Sequence, residues 1–243
     1  MSEAFLMRRG GSVNNAYALI AVSYPANSTC TAAKETKTLT ARSSNGAYCF
    51  SIPEAGTWTV TITDGTNTAT QDVVISSAGQ VEKLVMSYAN DLFFNGAGAG
   101  NWTAAPDVYW GGTATIGDRL YLNAKGLSQG AQKAYIYLTD AISFAGKQSL
   151  AVSAITNIGG FDHPELAQVR VVEETKTHSS TPDLEENLEA GVDVKTTVLD
   201  VSGLDSSKKY RVVLYASGYY FDDQQGGITA IEATVNVSRV TLS

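Results

Sequence analysis

The chain has 243 residues, of which 44% are hydrophobic and only 17% are charged, and its formal net charge is −7. A chain of this length and apolarity can bury one large core or two ordinary ones without disulfides or metals. The acidic balance excludes nucleic acid and anionic membrane surfaces as expected partners. No apolar run approaches the ~20 residues that span a bilayer, so we expect no membrane insertion.

Residues 1–15 are predicted to form a flexible leader, because they contain a Gly-Gly and an Asn-Asn pair. Arg8 and Arg9 follow the first apolar residues of this leader. A secretory signal instead carries its positive charge first, followed by a longer apolar stretch and a cleavage site. We therefore expect no signal peptide and assembly in a cytoplasm.

A first β domain is predicted over residues 16–88. Its clearest strand is 57–63, where Trp58, Val60 and Ile62 alternate with threonines, so that apolar and hydroxyl side chains fall on opposite faces. An Asn-Gly and an Asp-Gly pair are typical hairpin turns. We predict strands at 17–24, 36–42, 47–52, 57–63, 68–75 and 81–86. Short strands with regular turns predict a small sandwich.

The chain has two cysteines, Cys30 and Cys49, whose spacing matches no zinc motif. The strand pattern places Cys49 on the face opposite to Tyr48 and Phe50, where it could meet Cys30 across a strand. We favour the interpretation of two free thiols in a reducing compartment.

A second, larger domain is predicted over residues 91–243, after a short joint. We predict its strands at 113–123, 132–139, 149–158, 166–174, 192–201, 209–217 and 229–242. In the last strand the apolar residues shift from odd to even positions, which predicts a bulge near Ser238-Arg239. Residues 181–191 fit either a short helix capped by Thr181 or a long loop.

Two aromatic clusters in the second domain suit ligand binding. Aromatic faces shed water against the C–H surfaces of sugars, while carboxylates and amides hold pairs of hydroxyls. The candidate ligand-binding residues are Trp102, Tyr109, Trp110, Tyr219, Tyr220, Asp222 and Asp223. Core positions are the alternative for Trp110 and Tyr219, and Tyr219 would then continue the buried face of Tyr210, Val212 and Leu214.

Catalytic chemistry is not expected. His163 and His178 are the only histidines, and the chain has no Gly-x-Ser-x-Gly turn. Loop carboxylates would suit sugar hydrolysis or a structural calcium ion, but the sequence does not bring any two of them together. These carboxylates are Asp162, Glu165, Asp222 and Asp223. We predict no catalytic residue and no cofactor, with a structural calcium ion as the open alternative.

Two segments resemble known β families. Residues 51–76 resemble Ig-like domains of the prealbumin and carboxypeptidase-regulatory type, with Pro53, Gly56 and Trp58 at matching positions. Residues 134–155 resemble the early strands of galactose-binding-like jelly rolls. The matching positions there are Asp140, Ile142, Phe144, Gly146, Leu150 and Val152. The resemblances imply an all-β chain with a small Ig-like sandwich followed by a larger jelly-roll β-sandwich.

The opening MSEAFLMRRGG is similar to the leaders of prophage tail and baseplate proteins of Gram-positive hosts, on its arginine pair and the two glycines that follow. This resemblance implies a virion protein at the surface of a phage tail. Its expected partners are host-cell glycan or neighbouring tail proteins, including further copies of the chain. Two alternatives stay open: an architectural baseplate subunit without a ligand, and a hydrolase of cell-wall glycan.

Overall fold

The alternating pattern of the sequence forms strands throughout the part of the chain that the structure describes. The computed structural model describes residues 16–42, 46–106, 112–127, 130–159, 166–222 and 228–243. At 106, 126–127, 130–131, 219–222 and 228–230 it describes the backbone only. Within these residues the chain is all-β, as predicted, with one 3-10 turn at Ala99–Asn101. None of them forms a helix long and apolar enough to cross a bilayer.

The chain divides into two compact units between Ala89 and Asn90. The strands of the first unit are β1 Ala18–Ser23, β2 Thr29–Lys34, β3 Lys37–Thr40, β4 Ala47–Ile52, β5 Gly56–Thr63, β6 Thr68–Ile75 and β7 Val81–Val85. They form a three-stranded sheet, β4-β1-β7, and a four-stranded sheet, β3-β2-β5-β6. The first strand is antiparallel to β4 and parallel to β7.

Side-chain alternation builds the core of the first unit. Trp58, Val60 and Ile62 of β5 are fully buried, and the threonines between them are not. They pack with Ile20 and Phe50 of the other sheet in one cluster. The Trp58 indole N–H also donates to the carbonyl of Glu54, at 3.3 Å. The predicted two-faced strand is therefore confirmed, and the two sheets form a sandwich.

The two cysteines lie on different sheets. Cys30 on β2 is buried in the core, whereas Cys49 on β4 is half-buried, and both are free thiols. Burial raises the pKa of Cys30 to about 12 and also raises the pKa of Cys49. Because both thiols stay protonated at neutral pH, neither has the character of a reactive cysteine.

The second unit is a larger pair of sheets. Its strands are β8 Asp91–Phe94, β9 Trp102–Pro106, β10 Thr113–Ile116, β11 Leu120–Leu127, β12 Gly130–Ala131, β13 Lys133–Leu138, β14 Ile142–Ser143, β15 Ser149–Ile158, β16 Ala167–Glu173, β17 Leu184–Asn187, β18 Gly191–Asp200, β19 Lys209–Ser217, β20 Tyr219–Asp222 and β21 Ile228–Leu242. The eight-stranded sheet runs β10-β11-β21-β15-β18, with β8, β12 and β20 paired beside it. The six-stranded sheet runs β17-β16-β19-β13-β9, with β14 paired to β19. Their facing sides share one hydrophobic cluster.

The predicted bulge is confirmed. Ser153 of β15 pairs with Arg239, and the next residue, Ala154, pairs with Val237, so Ser238 is the extra residue. Its hydroxyl donates to the carbonyl of Ser153, at 3.1 Å. The insertion returns Val240 to the core side after Val237, which is why the apolar set changes parity.

Two predictions of secondary structure were wrong. The single strand over 113–123 is a hairpin of β10 and β11, which turns at residues 117–119. The helix over 181–191 is replaced by β17, which pairs with β16 from Val171↔Leu184 onwards. Leu184 and Leu188 both face the core, because a spacing of four also keeps residues on one side of a strand. The leucine spacing fits a helix or a strand, and pairing with β16 selects the strand.

Candidate functional site

Of the predicted ligand-binding residues, the structure describes the side chain of Trp102 alone. Trp102 on β9 is only 5% exposed, packs in the core of the second unit, and donates its indole N–H to the carbonyl of Leu92, at 3.1 Å. Its ring is therefore a core element and offers no face to a ligand. Tyr219, Tyr220 and Asp222 form β20, where the backbone alone is described. Tyr109, Trp110 and Asp223 lie outside the described residues, as do Asp162 and Glu165.

Four strands of the six-stranded sheet end in one register row. Pro106 of β9 pairs with Ala134 of β13, Ala134 pairs with Ala216 of β19, and Ala216 pairs with Ala167 of β16. The chain leaves this row after Pro106 and Ala216, and it enters the row at Ala134 and Ala167. We call this end of the second unit the rim. Segments 107–111 and 160–165, which contain Tyr109, Trp110, Asp162 and Glu165, come between strands of this row and strands of the other sheet along the chain, and they lie outside the described residues. Tyr220 and Asp222 lie on β20, which follows β19.

The eight-stranded sheet meets the same rim. β20 pairs with the start of β21, from Tyr219↔Ile231 to Asp222↔Ile228. The N–H of Gly159, at the end of β15, donates to the carbonyl of Glu232 at 2.9 Å. The N–H of Gly218 donates to the carbonyl of Gln132, also at 2.9 Å, which joins the end of β19 to the start of β13. Trp102 lies at the opposite end, paired with Leu138.

A polar outer surface adjoins the rim on the eight-stranded sheet. Leu120, Leu122 and Ala124 of β11 are buried, and the residues between them point away from the core. Register places them beside the outward residues of β21. We call this surface the amide face; it consists of Tyr121, Asn123, Glu232, Thr234 and Asn236, all half-buried. It combines one aromatic ring, two amides, a hydroxyl and a carboxylate.

Hydrogen bonds order part of the amide face. The Asn123 side-chain amide donates to the Glu232 carboxylate in a short hydrogen bond and to the Tyr121 hydroxyl at 3.3 Å. Asn236 is paired with Tyr121 on one side and Ile155 on the other. Its side-chain Oδ1 is shielded from solvent and has no hydrogen-bond partner among the described residues. This oxygen is thus a shielded acceptor without a donor in the described part of the chain.

The outer side of the six-stranded sheet carries a second aromatic surface, the tyrosine face. It consists of Tyr135 and Tyr137 of β13, Tyr215 and Val213 of β19, and Val172 of β16. Tyr135 and Tyr215 are each only 8% exposed, and their ring centroids are 5.2 Å apart. The guanidinium of Arg170 lies 3.6 Å from the centroid of the Tyr215 ring, a cation–π contact. A small second core therefore lies outside the main one.

The connection between β16 and β17 covers the tyrosine face. Its His178 stacks flat on Tyr137, with ring centroids 4.6 Å apart, and meets Tyr135 edge-on at 5.1 Å. Arg211 donates to the carbonyls of Glu174 and Lys176, at 2.9 and 3.4 Å. Burial, together with the nearby Arg211 charge, lowers the pKa of His178 below its ordinary value. The imidazole is therefore neutral at neutral pH.

Among the described residues, the carboxyl groups whose pKa is shifted have a lowered pKa, so their ionised form is favoured. Hydrogen bonds from Lys37 and Lys34 lower the pKa of Glu54, and hydrogen bonds from Lys208 and Thr175 lower that of Glu173. A general acid in sugar hydrolysis needs the opposite shift, so neither glutamate suits that role. No group of three metal-ligating side chains occurs within the described ranges. Structural calcium at the loop carboxylates stays a prediction.

Sequence reasoning missed both outer faces. A signal for the tyrosine face was available, because Tyr135, Tyr137 and Tyr215 alternate with buried residues in two predicted strands. The partners Asn123 and Glu232 are 109 positions apart, and only strand pairing brings them together. His178 lies in a connection whose path the sequence does not indicate.

No protein-family model matches the chain, and no curated protein matches it. Among solved structures it is similar to a carbohydrate-binding module of the β-sandwich superfamily, at 13% identity and a TM-score of 0.37, over 88% of this chain and 84% of that one. It is similar to the enzymatically active domain of tailspike protein 4 of bacteriophage CBA120, at 11% identity and a TM-score of 0.34. That match covers 68% of this chain and only 26% of the tailspike chain.

A third similarity is to BcpA, the major pilin subunit of Bacillus cereus, at 10% identity and a TM-score of 0.27, over 93% of this chain and 68% of the pilin. All three TM-scores are below 0.5. Similarities of this size identify no family, ligand or activity for this chain.

Proposed function

We propose that the chain is a non-enzymatic protein of a phage tail whose second β-sandwich binds host-cell glycan at its rim. The observation that carries this proposal is the register row of Pro106, Ala134, Ala216 and Ala167. Along the chain, the predicted aromatic and acidic residues come shortly before or after strands that end near this row, which supports a site at this end of the sandwich. Connections at the end of a sandwich are the usual position of binding residues in such folds.

Each copy of the chain binds glycan weakly, and several copies bind at the same time. Aromatic side chains supply contact with the C–H faces of a sugar, and carboxylates accept hydrogen bonds from its hydroxyls. The proposed contacts are Tyr109, Trp110, Tyr219, Tyr220, Asp222 and Asp223. A tail that presents several copies converts modest affinities into firm attachment. The phage-tail setting itself is supported by the leader resemblance, and genes for tail and lysis proteins beside this one would test it.

Glycan-array binding of the full chain tests the rim. We expect Tyr220→Ala and Asp222→Ala each to reduce binding about tenfold, the effect of losing one good aromatic or charged contact. Asp140→Ala is the matched control, because Asp140 is an exposed carboxylate just beyond β13 at the opposite end of the unit. Unchanged binding by both rim variants would remove the rim from the proposal.

An architectural subunit without a ligand is the second candidate, and one observation favours it. Val192, Val194 and Val198 of β18 are exposed, Val192 at 90%. β18 ends the path of the eight-stranded sheet, and an open edge with exposed valines suits pairing with a neighbouring subunit. Light scattering of the chain and of Val194→Lys tests this: a stable oligomer that the lysine dissociates supports the architectural function.

A further inference from the structure

An edge strand of the first unit lacks the features that usually protect such a strand. β6, Thr68–Ile75, ends the four-stranded sheet and pairs with β5 along its eight residues without a break in register. Edge strands are usually short, bulged, or marked by lysine or proline, which prevents pairing with another chain. β3, at the other edge of the sheet, has four residues and carries Lys37. β6 has no lysine, proline or bulge, so it is open to the addition of a strand.

The hairpin turn before β6 fixes which of its backbone groups face the open edge. The N–H of Asp64 donates to the carbonyl of Asn67 at 3.2 Å, so these residues form a hydrogen-bonded pair. Hydrogen-bonded and non-bonded pairs alternate along an antiparallel ladder. The odd-numbered residues of β6 therefore bond to β5. The residues whose N–H and carbonyl groups point to the open edge are Thr68, Thr70, Asp72 and Val74.

A second copy of β6 fits this edge in one register. Two strands related by a two-fold axis run antiparallel, and their free groups meet only when even-numbered residues lie opposite even-numbered ones. The two longest overlaps of this kind have Gln71 or Asp72 on the axis. With Asp72 on the axis two carboxylates lie opposite each other, which is destabilising. With Gln71 on the axis, Asp72 lies opposite Thr70 of the second copy, whose hydroxyl can donate to the carboxylate.

The outward side chains of β6 match in the same register. The Thr59 hydroxyl donates to the Asp72 carboxylate at 2.7 Å, which holds the acceptor on the outer side of the sheet. Val74, which is 63% exposed, would lie against the methyl group of Thr68 of the second copy. The Val74 carbonyl already accepts from the Gln80 side chain at 2.9 Å. The central residues of the strand would therefore supply most of the pairing.

We infer that the chain forms a two-fold symmetric dimer, in which the β6 strands of two copies pair antiparallel about Gln71 and join two four-stranded sheets into one. This inference goes beyond the glycan-binding function and does not depend on it. A dimer carries two copies of the second unit, which supplies the multivalency of attachment. One pair of edge strands is smaller than a standard interface of about 1,600 Å², so the dimer dissociates on dilution.

Sedimentation of the full chain over a range of concentrations tests the dimer. We expect a reversible monomer–dimer equilibrium. Thr70→Pro removes a donor at the open edge and no bond to β5. It should dimerise about thirtyfold more weakly, because the symmetric dimer loses that donor twice. Thr38→Pro is the matched control: since Ala41 donates to Cys30, the Thr38 N–H points to the open edge of β3. A monomer at every concentration would overturn the inference.

Two further readouts test the register of the paired strands. Gln71 and its copy would form a non-bonded pair with Cα atoms about 4.5 Å apart, within the range of a disulfide. Gln71→Cys, in a Cys49→Ser background, should form a covalent dimer under mild oxidation, and Thr68→Cys should not. Amide exchange of Thr70 and Asp72 should slow as the protein concentration rises. Exchange of Gln71 should be slow at every concentration, because its N–H bonds to β5.

The same measurements separate the dimer from the other proposals. Val194→Lys changes β18 and should leave the dimer intact. If Thr70→Pro dimerises like the wild type, or if Gln71→Cys stays monomeric on oxidation, pairing through β6 is overturned. Glycan binding, measured on the array, is unaffected by that outcome. If the dimer forms as described and no glycan binds, the rim function alone is overturned.

Discussion

On the six-stranded sheet, Tyr135 and Tyr215 lie beneath His178 and Arg170 of their own chain. On the eight-stranded sheet, Tyr121 is half-buried on the outer side of the same sandwich. The same strand alternation builds both faces, from tyrosines and valines on the first and from one tyrosine with polar residues on the second. The aromatic rings of the first face contact other side chains of the protein, whereas on the second face the shielded Asn236 Oδ1 has no donor among the residues that the structure describes. The tyrosine face is therefore a small packed core, whereas the amide face is a polar, half-buried sheet surface.

The largest expected difference between the faces is in stability. Tyr215→Ala should lower the free energy of unfolding by about 3 kcal/mol, because it empties a buried site and leaves Arg170 without its ring. Tyr121→Ala should cost less than about 1 kcal/mol, as for a surface position. Denaturant unfolding of both variants checks this. Equal losses would contradict the division into a packed face and a surface face.

The contact of His178 should have an intermediate effect. His178→Ala removes one stacked and one edge-on aromatic contact, worth about 1 kcal/mol together. We also expect faster hydrogen exchange in residues 174–183, because the imidazole holds this connection on the sheet. His178→Phe, which keeps an aromatic ring, is the control and should exchange at the original rate. Unaltered exchange in the alanine variant would show that other contacts, such as those of Arg211 and the Lys176–Asp183 ion pair, hold the connection.

The smallest effect is a dependence on pH. Because the pKa of His178 is lowered on folding, the unfolded chain binds a proton more readily than the folded one. Stability should therefore be complete above about pH 6.5, the ordinary histidine value, and decline as the pH falls from there to the folded pKa. Unfolding curves across this range for the wild type and His178→Phe check it. The phenylalanine variant should lose this part of the pH dependence.

The individual strands of this protein can be predicted from the pattern of neighbouring residues in the sequence. The surfaces that the strands form together cannot. Alternation of Trp58, Val60 and Ile62 sets the two faces of β5, and the change of parity near Ser238 marks the bulge, because both are read from neighbouring residues. The same local reading failed at residues 181–191, where Leu184 and Leu188 satisfy a helix and a strand equally. Pairing with β16 resolves that ambiguity, and the partner strand lies in another part of the chain.

The sequence by itself determined the all-β class and the two-sided strands, because hydrophobic burial imposes a two-residue period within each strand. Tertiary structure alone decided which of those residues became surface. It placed Trp102 in the core, drew His178 onto Tyr137, and joined Asn123 to Glu232. These outcomes depend on the register between strands that are distant in sequence. A register shift of one residue would move every side chain of a strand to the other face of the sheet.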